Sequence, residues 1–405
     1  MAAGETLFDK APTMPVIARY AVVTLIPAIL IALGATVWGA GGVLALLWLT
    51  LIAAGMDQLL SPPRLDDHDH APWSDRLALA LGVIHLTLLP LVVIAMGDPR
   101  LSFGETLALL LAAASFMGQV SHPNAHELIH RKSALLRGIG AAVYTSVGFG
   151  HHVSAHRLVH HRHVGTEDDP NTPLPGESYW AYLPRAWRGS FEAGLASEVE
   201  RLERRGLSGR SAHNPYIVWV GGAVLSLVLS IWIAGIGGAL TLIVLGALFG
   251  GQVLLSDYIQ HYGLQRLELP NGRIEPVAPH HSWNAPRGFS SYLMMNAPAH
   301  SEHHMHPDRP YDRLDPQAEV PTLPWSLPIM AMLATIPSVW HRIMDRRALR
   351  VMEAAQARLS TGGAIRPRHP LREAGNARAE APDAAAPQSE DEADALMARV
   401  TRAID

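Results

Sequence analysis

Cysteine is absent from the 405-residue chain, and this absence excludes several kinds of site. Without thiols the chain cannot form disulfides, thiolate zinc sites or cysteine-ligated iron–sulfur clusters. Charged residues are also scarce, at 17% of the chain against 49% hydrophobic residues, which is too apolar for an ordinary soluble domain. The net charge of −4 offers no basic excess toward nucleic acid. The composition therefore favours a membrane protein whose chemistry does not use thiols.

Long apolar runs are the main feature of what is present. About 20 apolar residues cross the hydrocarbon layer as a helix. Six stretches have that length, namely 18–38, 41–60, 77–97, 103–122, 215–235 and 237–257. They are joined in pairs by the short segments GAGG, DPRLS and GIGG. The sequence therefore predicts an all-α membrane protein with six transmembrane helices arranged as three hairpins.

The basic residues indicate the orientation of these helices. Arg76 lies between the second and third stretches and Arg131 follows the fourth, whereas the short turns on the other side carry only Arg100. Because basic residues are retained on the cytoplasmic side, we expect both termini and the long connecting segments in the cytoplasm of a bacterial-type cell, with the helices in its inner membrane.

This orientation divides the chain into five segments. The acidic residues Glu5 and Asp9 precede the first apolar run, so we interpret that run as a retained helix and not a cleaved signal peptide. The predicted segments are transmembrane helices in 1–122, a cytoplasmic insertion at 123–214, two further spans in 215–257, a second cytoplasmic block at 258–345 and a disordered, Ala/Pro/Glu-rich tail at 359–405.

Histidine is unusually frequent, and its occurrence is local. Of the 22 histidines, 17 lie between His122 and His306. Nine of them fall into four groups: HELIH (His126, His130), HRLVHH (His156, His160, His161), DYIQHYGL (His261) and HSEHH (His300, His303, His304). Spacings of three and four residues place imidazoles one helical turn apart, where two nitrogens can converge on one metal ion. Nine ligands exceed the needs of one ion, so the pattern predicts two.

The type of ligand restricts the metal without identifying it. Imidazole suits zinc, copper, iron and nickel. HELIH alone also fits a zinc peptidase with Glu127 as the base, but that reading leaves seven grouped histidines unexplained. A metal transporter would place its ligands at the membrane midplane, whereas these groups share one predicted side. The carboxylates of Glu127, Asp169, Asp257 and Glu302 are expected to orient the imidazoles.

Taken together, these motifs resemble a known family. The succession HxxxH, HxxxHH and HxxHH on membrane hairpins is similar to that of the membrane di-iron oxygenases and desaturases. DYIQHYGL, PHHSWN at 279–284 and HPDRPYDRL narrow the resemblance to the integral-membrane alkane hydroxylases and their xylene-type relatives, from the first helix to about Asp345. The chain departs from the family pattern at Ala155, Val159 and Gln260, which lie beside the proposed ligands.

The resemblance implies a cytoplasmic cap in which the nine grouped histidines hold two non-haem iron ions. It also implies O2-dependent hydroxylation of the terminal carbon of an n-alkane taken from the bilayer lipid. Electrons would come from a separate rubredoxin and its NADH-dependent reductase, since this chain lacks cysteine and a flavin motif. Trp48 and Leu49 are candidates for limiting the length of a substrate channel. A xylene-type monooxygenase and a fatty-acyl desaturase are the alternatives.

Overall fold

The computed structural model describes residues 16–59, 71–286, 288–315 and 320–360. Within these ranges the chain is built of helices and loops, and β-structure is limited to two isolated bridges. The helical character expected from the apolar runs is therefore confirmed for the described residues. The predicted disordered tail lies outside them from residue 361 onward.

The helices are named in chain order. They are α1 (Val16–Thr36), α2 (Ala40–Leu59), α3 (Ala71–Ala95), α4 (Phe103–His130), α5 (Ala134–Ser146), α6 (152–163), α7 (Tyr179–Glu203), α8 (Tyr216–His261), α9 (Phe289–Leu293), α10 (His300–Met305), α11 (Leu327–Ala334) and α12 (Pro337–Ser360). Five of them, α1, α2, α3, α4 and α8, contain stretches that are long and apolar enough to cross a membrane. The first four correspond to the first four predicted spans, and α8 covers the last two.

Helix α8 is a hairpin and not one straight helix. Its backbone leaves the helical region at Ala234 and at Gly235, whose φ is +63°. A Cβ atom on Gly222 would touch Thr145, and one on Gly246 would touch Val147. A continuous helix would hold these two glycines about 36 Å apart, so the chain must fold back between them. A positive φ is easily adopted by glycine, which explains the turn at the predicted GIGG segment.

Three helices contain a π-helical turn, in which the hydrogen bonds join residues five apart. These turns are Trp48–Ile52 in α2, Met117–Ser121 in α4 and His156–His160 in α6. The first two meet, because Gln119 Nε2 donates a hydrogen bond to the backbone oxygen of Leu49 at 3.2 Å. Such turns are frequent at functional sites, and the third one carries two of the grouped histidines.

Helices α1 and α2 pack with their backbones almost in contact. A Cβ atom on Gly34 would lie 2.5 Å from the backbone nitrogen of Gly42, and one on Gly41 would lie 2.5 Å from the oxygen of Leu30. Small residues allow membrane helices to approach this closely. The packing brings α2, with its π-helical turn, against the first helix of the bundle.

We therefore expect Gly34→Ala to destabilise the protein by about 1–3 kcal/mol, since overpacking at a closed interface costs that much. Unfolding in detergent by heat or denaturant measures the change. Gly55→Ala is the matched control, because nothing lies within 4 Å of its Cβ position. In a helix that change should be stabilising, by about 0.5–1 kcal/mol. Equal destabilisation by both substitutions would contradict close packing at Gly34.

Candidate metal centre

The structure gathers all nine grouped histidines into two adjacent clusters. The first cluster contains His126, His130, His156, His161 and His303. The second cluster contains His160, His261, His300 and His304. Within each cluster the potential ligand atoms all lie within 4.8 Å of one another. The clusters adjoin, because the ring centroids of His161 and His304 are 4.8 Å apart.

The first cluster is centred on His156. Its Nε2 atom lies 2.8 Å from Nε2 of His126, 3.1 Å from that of His130 and 2.9 Å from that of His161. An imidazole nitrogen carries either one proton or one lone pair, so it can form only one such hydrogen bond. In the other close contacts, two lone pairs or two N–H groups would face each other unless a cation lies between the nitrogens. The first cluster therefore fits a metal ion better than a hydrogen-bonded network.

The second cluster shows the same convergence. His300 Nε2 lies 3.0 Å from Nε2 of His261 and 3.1 Å from Nε2 of His304. Nε2 of His160 is buried and has no hydrogen-bond partner within the described ranges. Nitrogens bound about 2.1 Å from one ion with bonds at right angles lie about 3.0 Å apart. The observed separations thus have the size expected around a single transition-metal ion.

The π-helical turn of α6 determines which of its histidines belongs to which cluster. The sequence spacing favoured His156 and His160 as a pair, because residues four apart share a face of an α-helix. In the structure His156 pairs instead with His161, five residues away, since the turn has i→i+5 geometry. His160 consequently points to the second cluster. One short helix therefore supplies both clusters.

Two imidazoles of the second cluster are held in the orientation that ligation requires. His261 Nδ1 donates a hydrogen bond to the backbone oxygen of His281 at 3.0 Å. His160 Nδ1 donates to Oδ2 of Asp169 at 2.9 Å. In a neutral ring, a proton on Nδ1 leaves the lone pair on Nε2, which faces the cluster.

Burial favours the neutral rings that bind metals. Burial, aided by the neighbouring imidazoles, lowers the pKa well below the ordinary value for His156, His161, His300, His303 and His304. His160 differs: burial lowers its pKa, but the carboxylates of Asp169 and Asp257 together outweigh burial, so the pKa is raised. Asp169 therefore acts as a carboxylate paired with an imidazole N–H.

Of the four predicted carboxylates, Asp169 alone hydrogen-bonds a cluster histidine in the described part of the chain. Asp257 is one step further away: it accepts a hydrogen bond from Asn171 Nδ2 at 2.8 Å, and the Asn171 backbone N–H donates to Asp169 at 3.0 Å. Asn171 was not anticipated from the sequence, because an isolated asparagine in a loop carries no spacing signal.

The remaining two carboxylates bind other groups. Glu127 forms an ion pair with Arg131 at 2.8 Å and accepts a hydrogen bond from the backbone N–H of Tyr311 at 2.9 Å. Glu302 pairs with Arg309. Both carboxylates thus tie the helices that carry ligands to neighbouring loops, and neither is seen to orient an imidazole.

A third group of polar side chains supports the second cluster from outside. Oε1 of Glu275 accepts from Nε2 of His281 at 2.9 Å and from the backbone N–H of Leu267 at 2.8 Å. Nδ1 of His281 accepts from the backbone N–H of Ala278, so the ring proton is on Nε2. Both nitrogens of His281 are therefore used in hydrogen bonds. Glu275, missed at the sequence level, holds the turn whose carbonyl binds His261.

The two candidate channel residues lie where α2 meets its neighbours. The ring of Trp48 packs edge-on against Phe289 of α9, with centroids 5.7 Å apart, and its Nε1 donates to the backbone oxygen of Val23 in α1. Leu49 is 1% exposed. Both residues belong to a π-helical turn that contacts the corresponding turn of α4.

Comparison with known proteins shows which family this chain is similar to. A family model described as fatty acid desaturase matches residues 104–332, which include every histidine of both clusters. Alkane 1-monooxygenase 1 of Alcanivorax borkumensis is 37% identical over 248 residues, covering 60% of each chain. Alkane 1-monooxygenase 1 of Pseudomonas aeruginosa is 31% identical over 264 residues, covering 64% of this chain and 68% of the relative.

A more distant relative represents the other substrate class. The xylene/toluene monooxygenase hydroxylase component of Pseudomonas putida is 28% identical over 266 residues, covering 64% of this chain and 70% of the relative. Alkane 1-monooxygenase 1 of Alcanivorax borkumensis has a higher identity to this chain, but the chain spans only 60% of the length of that relative.

Proposed function

We propose that this chain, which belongs to the fatty acid desaturase family and there to the alkane hydroxylases, is a membrane monooxygenase. It hydroxylates the terminal carbon of n-alkanes to primary alcohols with O2. The observation that carries the proposal is the convergence of nine imidazoles into two adjacent clusters, to which the apolar helices α4 and α8 contribute His126, His130 and His261 from their last turns. The resemblance noted in the sequence is confirmed by the family match.

The clusters would hold two non-haem iron ions. The first would be bound by its five histidines and the second by its four, with Asp169 and the turn at His281 fixing two of the rings. Imidazole ligands suit iron, which when bound supplies the O2 activation that such a hydroxylation needs. The chain itself orients the ligands and keeps the site dry, since six of the nine rings belong to buried residues.

The membrane arrangement is part of the proposal. Six spans would form three hairpins, and the turn at Ala234–Gly235 supports the third of them. Both termini and the histidine-bearing segments would lie in the cytoplasm of a bacterial-type cell, with segments 1–122 and 215–257 in its inner membrane. Helices α4 and α8 both end among the histidines, so the ions would sit near one face of the membrane.

Electrons must reach this site from another protein. The chain contains no cysteine, so it cannot hold a rubredoxin-type or iron–sulfur centre of its own. We propose rubredoxin, with its NADH-dependent reductase, as the donor. A xylene-type hydroxylase would act on aromatic methyl groups and a desaturase would form an alkene, so the product distinguishes all three functions.

The alkane would enter from the bilayer between the helices, and Trp48 or Leu49 would limit how far it extends. We expect Trp48→Ala to raise the rate on hexadecane relative to octane at least about tenfold, because one or two added methylenes change binding by that factor. Competition between the two alkanes, analysed by gas chromatography, measures the ratio. Leu51→Ala is the control, since Leu51 lies in the same turn but is 70% exposed. An unchanged ratio in Trp48→Ala would remove Trp48 from the channel.

The proposed function is tested on detergent-purified protein grown with iron-57. Metal analysis and Mössbauer spectroscopy should find two irons per chain in nitrogen-rich sites. With rubredoxin, reductase, NADH and oxygen-18 gas, octane should yield 1-octanol that carries the label. One zinc ion without iron would refute the oxygenase assignment, an alkene would favour the desaturase, and turnover of xylene alone would favour the aromatic substrate class.

A further inference from the structure

A row of four neighbouring aromatic rings, called the stack below although the rings meet at tilted or edge-to-face angles, begins beside the second cluster and ends at the protein surface. Tyr262 directly follows His261, so their Cα atoms are about 3.8 Å apart. The Tyr262 ring lies 5.3 Å from that of Tyr258, between centroids, and Tyr258 lies 5.8 Å from Tyr179. Tyr179 in turn lies 5.1 Å from Trp180, which is 56% exposed. The stack therefore connects a buried ring beside a candidate ligand with the protein surface.

The hydroxyl of Tyr262 has an unusual partner. It donates a hydrogen bond to Oδ1 of Asp345 at 2.5 Å and lies 2.8 Å from Nδ1 of His341. His341 Nδ1 is also 3.2 Å from the same carboxylate oxygen. The phenolic oxygen thus faces a carboxylate that can take its proton and an imidazole that can hydrogen-bond the oxygen left behind.

The hydroxyls of three other tyrosines of this region donate to backbone oxygens instead. The hydroxyls of Tyr179, Tyr182 and Tyr258 donate to the backbone oxygens of Gly251, Asn171 and Glu177, at 2.8, 3.0 and 2.7 Å. A backbone carbonyl accepts a hydrogen bond but does not take up a proton near neutral pH. Since a phenol that loses an electron also loses its proton, Tyr262 is the ring of this stack best prepared for one-electron oxidation.

A second route joins the stack to the metal centre. The ring of Tyr182 lies 5.3 Å from that of Tyr258. Its hydroxyl donates to the backbone oxygen of Asn171, whose N–H donates to Asp169, the partner of His160. The stack therefore approaches the second cluster both through the backbone at His261 and through hydrogen bonds.

We propose that Tyr262 is a redox-active tyrosine that discharges the metal centre when O2 has been activated but no substrate C–H bond is within reach. This inference rests on the proposed function, which supplies the O2-derived oxidant. Tyr262 gives one electron to the centre and its phenolic proton to Oδ1 of Asp345, which leaves a neutral tyrosyl radical. A one-electron reductant such as ascorbate, acting at Trp180, restores the phenol, and Asp345 returns the proton. Because the oxidant that would hydroxylate a C–H bond holds two oxidising equivalents, a second such cycle delivers the second electron and completes the discharge.

The chemistry of the rings sets the direction of this path. Phenol and indole side chains lose electrons only to strong oxidants, so they cannot relay electrons inward from a low-potential donor. They can carry an oxidising equivalent outward to the exposed Trp180. The consequence is protection, because the oxidant is consumed before it attacks the imidazoles that hold the metal.

The test is rapid-freeze electron paramagnetic resonance on the iron-loaded full chain, reduced and then mixed with O2 without alkane. We expect a radical signal that narrows when the tyrosines are ring-deuterated and that is lost in Tyr262→Phe. Asp345→Asn keeps a hydrogen-bond acceptor but removes the base, and should lower the radical yield about tenfold. Tyr216→Phe is the control and should keep the signal, because its hydroxyl donates to the backbone oxygen of Phe191, outside the stack.

Iron content and O2 uptake are measured in the same samples. Iron-loaded protein that consumes O2 without forming a tyrosyl radical would overturn this inference and leave the proposed function intact. The same radical in Tyr262→Phe would also overturn it. Iron-loaded wild-type protein that consumes no O2 would instead refute the proposed function, and the inference with it. In Trp180→Phe, the radical should decay more slowly with ascorbate; an unchanged decay would remove Trp180 from the path.

Discussion

Replacing His156 by alanine should remove one iron from each chain and abolish alkane hydroxylation. The Nε2 atom of His156 lies within about one ligand–ligand distance of three other imidazoles of the first cluster. Without His156, the remaining nitrogens of the first cluster lack the ligand around which they converge. The second cluster keeps all four of its imidazoles. Metal analysis should therefore find one iron per chain in place of two, with product formation at the background level.

The control for this prediction is His213→Ala. His213 is exposed and belongs to neither cluster, so iron content and octane turnover should match those of the unmodified protein. Retention of two irons by the His156→Ala protein would show that the first cluster does not bind a metal ion as a unit.

Asp169→Asn should lower iron affinity or hydroxylation by about 10- to 100-fold, the usual effect of losing a group that orients a metal-bound histidine. Three donors surround this carboxylate: the Asn171 backbone N–H reaches Oδ1, and His160 Nδ1 and the Thr172 hydroxyl reach Oδ2. An asparagine amide must turn its NH2 group toward one of these donors. If it faces His160, the ring proton moves to Nε2 and the lone pair is lost to the cluster.

Iron titration of the apoprotein, followed by octane turnover, measures this effect. Asp168→Asn is the matched control, because Asp168 is the adjacent residue but is exposed. It should leave both quantities unchanged. Equal iron affinity in the Asp169→Asn protein and the unmodified protein would mean that Asp169 stabilises the loop without orienting His160.

The local features of the fold could be predicted from the sequence. Apolar runs long enough to cross a membrane are properties of adjacent residues, and the first four predicted runs coincide with α1 to α4. The short segment GIGG likewise marked the turn within α8, where Gly235 takes a positive φ. Six spans and the cytoplasmic orientation stay predictions, because both depend on the lipid and the compartments around the chain and not on residue order alone.

The candidate site could be predicted only in part. The four histidine groups were evident from spacing, and each member lies in one of the two clusters. The roles of Glu127 and Glu302 were overestimated, since a carboxylate beside a histidine in sequence can point away from it on a helix. Here those side chains bind Arg131 and Arg309. That the nine histidines ligate iron stays a prediction.

Patterns among neighbouring residues were sufficient to predict the helical class of the described chain, the positions of its apolar helices and the nine grouped histidines. The packing of distant segments was needed to bring His156 beside His303, far along the chain, and to show that a π-helical turn directs His160 to the other cluster. It alone placed Asp345 against Tyr262. Such pairings depend on how helices distant in sequence pack against each other. The spacing of neighbouring residues does not indicate this packing.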